Sequence, residues 1–253
     1  MRKLVGTISI LMIFCLSGCR PAQPSLTVEE YELTGPPTVR PFSFNPVDGT
    51  QAKILAKRAV VRAHTFPDIY FSTDNHSPIK VKTHSGDLVA MEASPTGKAE
   101  DTQVTVSLGG NPVYSIPTGD ALGLPTLQGL WMVSGNWILE VAHVNVSQQS
   151  NDVFFHEISG QIIEEGEILN DRYGYQVAFG FQLMNGHPFY FFERDNKFGV
   201  SFNGQEMALG YDNVLNYYRG DMAVVNVKHA KNMVAFFAQR DDKWYYVEIG
   251  AYR

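Results

Sequence analysis

The groups in this chain that can hold a metal or move a proton are seven histidines and 26 carboxylates. A zinc-hydrolase helix carries His-Glu with a second histidine four residues after the first, so that both imidazoles share one face. His156 and Glu157 in "FHEISG" open that pattern, but the second position is Gly160. His64, His76, His84, His143, His187 and His229 are scattered. His76 and His84 flank the short run "PIKVKT", yet no third ligand stands at a matching distance, so no metal site is expected. Glycoside hydrolysis uses two carboxyls about 5–9.5 Å apart. Glu164, Glu165 and Glu167 in "IIEEGEIL", and the pair Asp241 and Asp242, are the tightest groupings, and both read as solvated hairpin turns. There is no glycine-rich phosphate loop and no G-x-S-x-G elbow, so neither a cofactor nor a nucleophile is pointed out. Trp131, Trp137 and Trp244 remain as weak candidates for stacking a glycan or peptide, against the plainer reading that they fill a core.

Thiol chemistry is confined to the N-terminus. The chain opens "MRKLVGTISILMIFCLSGCR", with Arg2 and Lys3 ahead of an apolar run from Leu4 to Leu16. That run is shorter than the roughly 20 residues a membrane-spanning helix needs, and it fits the apolar region of a secretory signal. Leu16, Ser17, Gly18 and Cys19 resemble the lipobox of bacterial lipoproteins, in which a peptidase closes around small residues and the cysteine is acylated. The resemblance implies a signal peptide over 1–18, lipidation at Cys19 and an extracytoplasmic protein anchored to a membrane. Arg20, in place of the aspartate tied to inner-membrane retention in enterobacterial relatives, leans toward the outer membrane. Cys15 would leave with the signal, so the mature body would hold no disulfide and would rest on its core. Two or three acyl chains suffice for stable anchoring, at about 0.8 kcal/mol per buried CH₂.

Residues 20 to 50 hold six of the 13 prolines and read as an extended tether, within which "LTVEEYEL" has the look of a first strand. Residues 51–253 then form the folded domain. Without Arg2 and Lys3 the 20 basic residues fall to 18 against 26 acidic ones, so the formal charge moves from −6 to −8. Such a body is repelled by phosphates, which excludes nucleic acid as a partner. A monomer is expected.

What must position any site is a set of short strands. "FFERDNKFGVSFNG" at 191–204 returns as "FFAQRDDKWYYVEIG" at 236–250. Gly-terminated, strand-like runs also end at Gly86, Gly119, Gly160, Gly204 and Gly250. Asn185-Gly186, Asp195-Asn196 and Asp241-Asp242 supply hairpin turns between apolar runs. Aromatics in unbroken runs, such as Phe189-Tyr190-Phe191-Phe192, suit strands covered on both faces. Periods of this size match a propeller blade, so an all-β, propeller-like stack of antiparallel sheets is expected, with a β-sandwich or other meander as the alternative.

"LGYDNVLNYYRGDMAVVNV" followed by "DDKWYYVEIG" is similar to WG-type repeat segments, departing where Tyr245 follows Trp244 in place of glycine. The C-terminal half also resembles a group of uncharacterised bacterial lipoproteins with the pattern "PFYFFER…WYYVEIG", a resemblance that implies an envelope location and no activity. Together these features point to a non-enzymatic, surface-tethered binding or scaffolding module whose partner is an envelope glycan or protein. The alternative is a secreted envelope hydrolase acting on glycans or peptides.

Overall fold

The computed structural model describes residues 26–33, 35–37, 78–119, 125–150, 153–218 and 225–251. The lipobox residues Leu16 to Cys19, most of the tether, and His64 and His76 lie outside them. The fold is all-β. β1 (Thr27–Glu32) comes from the segment read as tether. The strands β2 (Ile79–Thr83), β3 (Gly86–Ala93), β4 (Gln103–Leu108) and β5 (Asn111–Pro117) form a first antiparallel sheet in chain order. A second sheet contains β6 (Leu127–Val133), β7 (Asn136–Ser150), β8 (Val153–Glu164) and β9 (Glu167–Ile168), followed by the short helix α1 (Leu169–Tyr173). β10 (Val177–Met184), β11 (His187–Arg194), β12 (Lys197–Phe202) and β13 (Gln205–Tyr211) make the third. The fourth contains β14 (Asn213–Val214), β15 (Lys228–Ala230), β16 (Met233–Arg240) and β17 (Lys243–Gly250), and it is completed by β1, which pairs antiparallel with β17.

The repeated phrase is one hairpin used twice. β11–β12 and β16–β17 both turn through two residues with left-handed backbone, Asp195-Asn196 (φ 53° and 56°) and Asp241-Asp242 (φ 51° and 62°). Two consecutive positive φ values match the twist of the flanking strands, and aspartate and asparagine tolerate them. The likeness extends past the phrase. Arg194 forms ion pairs with Glu206 on β13, which also accepts the Tyr175 hydroxyl at 2.6 Å. Arg240 pairs with Glu30 on β1, which accepts the Tyr211 hydroxyl at 2.6 Å. Glu206 stands opposite Ser201 and Glu30 opposite Val247, equivalent positions of the two hairpins. β1 therefore fills in the fourth sheet the place that β13 fills in the third. A domain boundary drawn at residue 50 cuts through that sheet.

The glycine-ended runs are not equivalent units. Gly86 opens β3, Gly119 follows β5, Gly160 lies inside β8, Gly204 sits in the β12–β13 turn and Gly250 ends β17. The true unit is the whole meander, and the first three begin at Ile79, Leu127 and Val177.

Cores form between successive sheets. Leu88, Ala90, Val104 and Val106 of the first meet Leu130, Leu139 and Val141 of the second. Ile138 and Ile162 of the second meet Phe181, Tyr190 and Phe192 of the third. Phe189, Phe191 and Val200 of the third meet Phe236, Val247 and Ile249 of the fourth. The run Phe189 to Phe192 thus divides alternately between two cores, which is why it does not alternate with polar residues. No buried cluster among the described residues joins the first sheet to the fourth. The far face of the first sheet is polar, with the Thr105 and Ser115 hydroxyls bonded at 3.2 Å and Met91 exposed. The described residues are an open stack of meanders, and propeller closure is not found. No described helix is long and apolar enough to cross a membrane.

Candidate functional site

Buried carboxylates clasp one sheet to the next. Glu140 on β7 is 5% exposed and accepts the backbone N–H groups of Gly180 and Phe181, both at 2.8 Å. These two amides are free for it because β10 breaks register between Phe179 and Gln182, with Gly180 in a left-handed conformation (φ 69°) that turns its N–H out of the ladder. Glu92 on β3 does the same, accepting Thr126 N–H at 2.8 Å and Leu127 N–H at 3.1 Å beside the break in β6. Burial pushes the Glu140 carboxyl up to about 7, more than its two amide donors pull it down. Both clasps are spent on structure, since each donor pair is backbone of the neighbouring sheet.

Several other carboxylates are similarly committed. Arg172 of α1 donates to Glu164 at 2.9 Å and also pairs with Glu167. Asp212 pairs with Lys197 and accepts the Asp241 N–H at 3.0 Å, contacts that hold its carboxyl below the usual range. Arg240 beside Glu30 and Arg194 beside Glu206 hold those carboxyls low as well. A general acid needs the opposite perturbation.

Among the described residues, two clefts lie between sheets. The first, of about 730 Å³, lies between the first and second sheets. Leu88, Leu108, Val113, Met132 and Trp137 supply its apolar surface, and Lys82, Thr83, His84, Ser85 and Glu165 its polar one. The β2–β3 turn that carries His84 is pinned by the Thr83 hydroxyl, which donates to the Gly86 carbonyl at 2.7 Å and accepts the Ser85 N–H at 3.1 Å. Glu165, in the β8–β9 turn at φ 50°, accepts the Trp137 N–H at 2.6 Å and returns its own N–H to the Trp137 carbonyl at 3.1 Å. Opposite sides of this cleft are thereby held by rigid hairpin ends. The second cleft, of about 450 Å³, lies between the third and fourth sheets. Phe179, Phe198, Tyr217, Glu193, Asp212 and Asn213 are among its lining residues.

The three tryptophans do not form one platform. Trp137 is 8% exposed, packs on Tyr114 with ring centres 5.6 Å apart, and lines the first cleft. Trp131 lies in the core between the second and third sheets against Phe181, at 4.8 Å, its ring filling the space above Gly129. Trp244 packs on the far face of the fourth sheet. Each belongs to a different layer, and of the three it is Trp137 that lines the first cleft. The histidines are likewise apart. His84 rims the first cleft, His187 packs edge-on against Phe202, and His229 contacts Gln182 at 3.1 Å. Burial lowers the pKa of His143. His156 falls within β8. No three His, Cys, Asp or Glu converge among the described residues.

Sequence reasoning missed Lys82, Leu108 and Met132. The available signal was the alternation in "IKVKTHSG", which puts Lys80 and Lys82 on one face of a strand next to a turn. No protein-family model and no curated protein matches this chain.

Proposed function

We propose that the protein is a lipid-anchored, extracytoplasmic binding module whose ligand seats in the cleft between the first two sheets. The observation that carries this reading is the composition of that cleft: an apolar interior with charged groups of both signs at its edge, and one carboxylate, Glu165, already bonded to Trp137. A cavity of about 730 Å³ falls in the size range of small-molecule sites, roughly 300–1,000 Å³. Anchoring rests on the lipobox at Leu16 to Cys19 and on the proline-rich segment after it.

The hydrolase reading is favoured by a different feature, the presence of Glu193 and Asp212 in the second cleft. The test separates the two. The full chain is incubated with envelope glycan fragments and peptides, and both retention and product release are followed. Binding without turnover, reduced by Val113→Trp in the first cleft, is the expected result. Turnover lost in Glu193→Gln or Asp212→Asn would assign the protein to hydrolysis. In the same cells, Cys19→Ser is expected to abolish incorporation of a fatty-acid analogue, and equal labelling would remove the anchor from the reading.

A further inference from the structure

We infer that the second cleft, between the third and fourth sheets, is a separate binding site for a neutral sugar, held by side-chain amides and tyrosines. A sugar presents an apolar face of C–H groups and a rim of hydroxyls that donate and accept at once. Asn213 and Asn216 line this cleft half-buried, and neither side-chain amide has a hydrogen-bond partner among the described residues. By contrast, Asn170 and Asn226 bond backbone groups through both ends of their amides. Each amide of the cleft offers two donors and an acceptor, the set that neighbouring hydroxyls require. Glu193 and Asp212 add acceptors, and the described lining holds no lysine, arginine or histidine, so an anion finds no charged donor on these walls. Asp212 pairs with Lys197 and accepts the Asp241 N–H at 3.0 Å, which suits it to accept from a hydroxyl and not to protonate a leaving group. The aromatic wall is set by the backbone. Tyr217 has a left-handed φ of 59°, uncommon for a bulky side chain, and such outliers gather at ligand sites. Its hydroxyl lies over Gly160, while the next residue, Tyr218, is 38% exposed. The Asn226 side chain fixes Tyr218, accepting its N–H and donating to its carbonyl, both at 2.9 Å. Phe179 and Phe198 supply apolar surface for the C–H face, and the volume of about 450 Å³ lies within the roughly 300–1,000 Å³ of small-molecule sites.

The experiment uses the full chain in phosphatidylcholine nanodiscs, with empty nanodiscs as the blank. Methyl glycosides of glucose, galactose, mannose and N-acetylglucosamine are titrated by saturation-transfer NMR, beside the methyl glycoside of glucuronic acid and a fully O-methylated glucoside. At least one neutral glycoside is expected to bind with a Kd of about 1 mM or below, and at least about tenfold more tightly than the glucuronide or the methylated sugar. Asn213→Leu and Asn216→Leu are each expected to weaken that binding about tenfold. Tyr218→Ala should weaken it as well, whereas Tyr218→Phe, which keeps the ring, should retain it. Melting temperatures identify any variant that fails to fold, and the two Tyr218 variants then decide. Val113→Trp in the first cleft should leave sugar affinity unchanged, so the two clefts are tested apart. If no neutral glycoside binds, if the glucuronide binds equally well, or if the Asn213, Asn216 and Tyr218 variants have no effect, the second site is overturned and the first-cleft reading stands. Sugar binding lost in Val113→Trp alone would seat the sugar in the first cleft and overturn the inference too.

Discussion

Glu140 is the residue whose chemistry is most altered by its surroundings. The unfolded chain releases this proton near the ordinary 4.5, the folded chain at about 7. Between those values the native state binds more protons than the unfolded state, so stability falls as pH rises, by about 3 kcal/mol over the window. Glu30, Glu206 and Asp212 have the opposite sign. Their contribution is present above the ordinary carboxylate range and is lost as pH falls through their lowered values. Burial lowers the pKa of His143 and takes that of His229 to about 4, so these two add stability as pH rises toward 6.5 and offset Glu140 there. The Glu140 contribution is therefore read in the difference between parent and variant. Glu140→Gln should gain stability relative to the parent as pH rises. The variant should be less stable than the parent by about 1–3 kcal/mol at pH 5, from an amide that meets two donors with one acceptor, and the gap should close by pH 8. Urea unfolding at four pH values measures this, and parallel pH curves for parent and variant would show that Glu140 is charged throughout.

At the scale of elements, the approach of the second and third sheets depends on Gly160. A Cβ built there would stand 2.4 Å from the Ala178 carbonyl oxygen and 2.2 Å from the Tyr217 hydroxyl. The first of these is backbone of β10, which the Glu140 clasp holds in place, so neither side can give. Gly160→Ala is expected to cost roughly 1–3 kcal/mol or more through overpacking, seen as a lower urea midpoint at unchanged m-value. A midpoint equal to the parent's would mean that β8 and β10 slide apart freely. The glycine was visible in the sequence as the end of "VFFHEISG", but its reason was not. It marks a crossing of two strands that lie in different sheets.

For the whole molecule, the decisive contact spans the greatest sequence distance, β1 against β17. Glu30 reaches Tyr211 and Arg240, and Leu33 joins Phe237 and Tyr246 in a buried cluster. A protein beginning at residue 34 loses all of these and bares the β17 edge. It is expected to melt far below a protein beginning at residue 24 and to form dimers or larger species on size-exclusion chromatography, because an unpaired edge recruits another strand. Equal melting temperatures and a monomeric profile would show β1 to be an accessory. The first sheet, with the polar face of Thr105 and Ser115, is the other end of the stack among the described residues.

The sequence by itself determined the class of the fold. Hairpin turns such as Asp195-Asn196 and Asp241-Asp242 are local chemistry, and the unbroken aromatic runs announced strands covered on both faces. It also carried the repeat, because the two hairpins keep Arg194 and Arg240, Asp195 and Asp241, and Lys197 and Lys243 at equivalent positions. Tertiary structure decided the rest. "LTVEEYEL" carries a strand's alternation, but nothing in it names β17, more than 200 residues away, as its partner. The three tryptophans have one chemistry and three destinations, set by which sheet each strand joined. Lys82 and Trp137 are brought to one cleft because the ends of the first and second sheets meet there. Periodicity records which face of a strand is buried. It does not record what buries it, and a site built between sheets is made of that second kind of information.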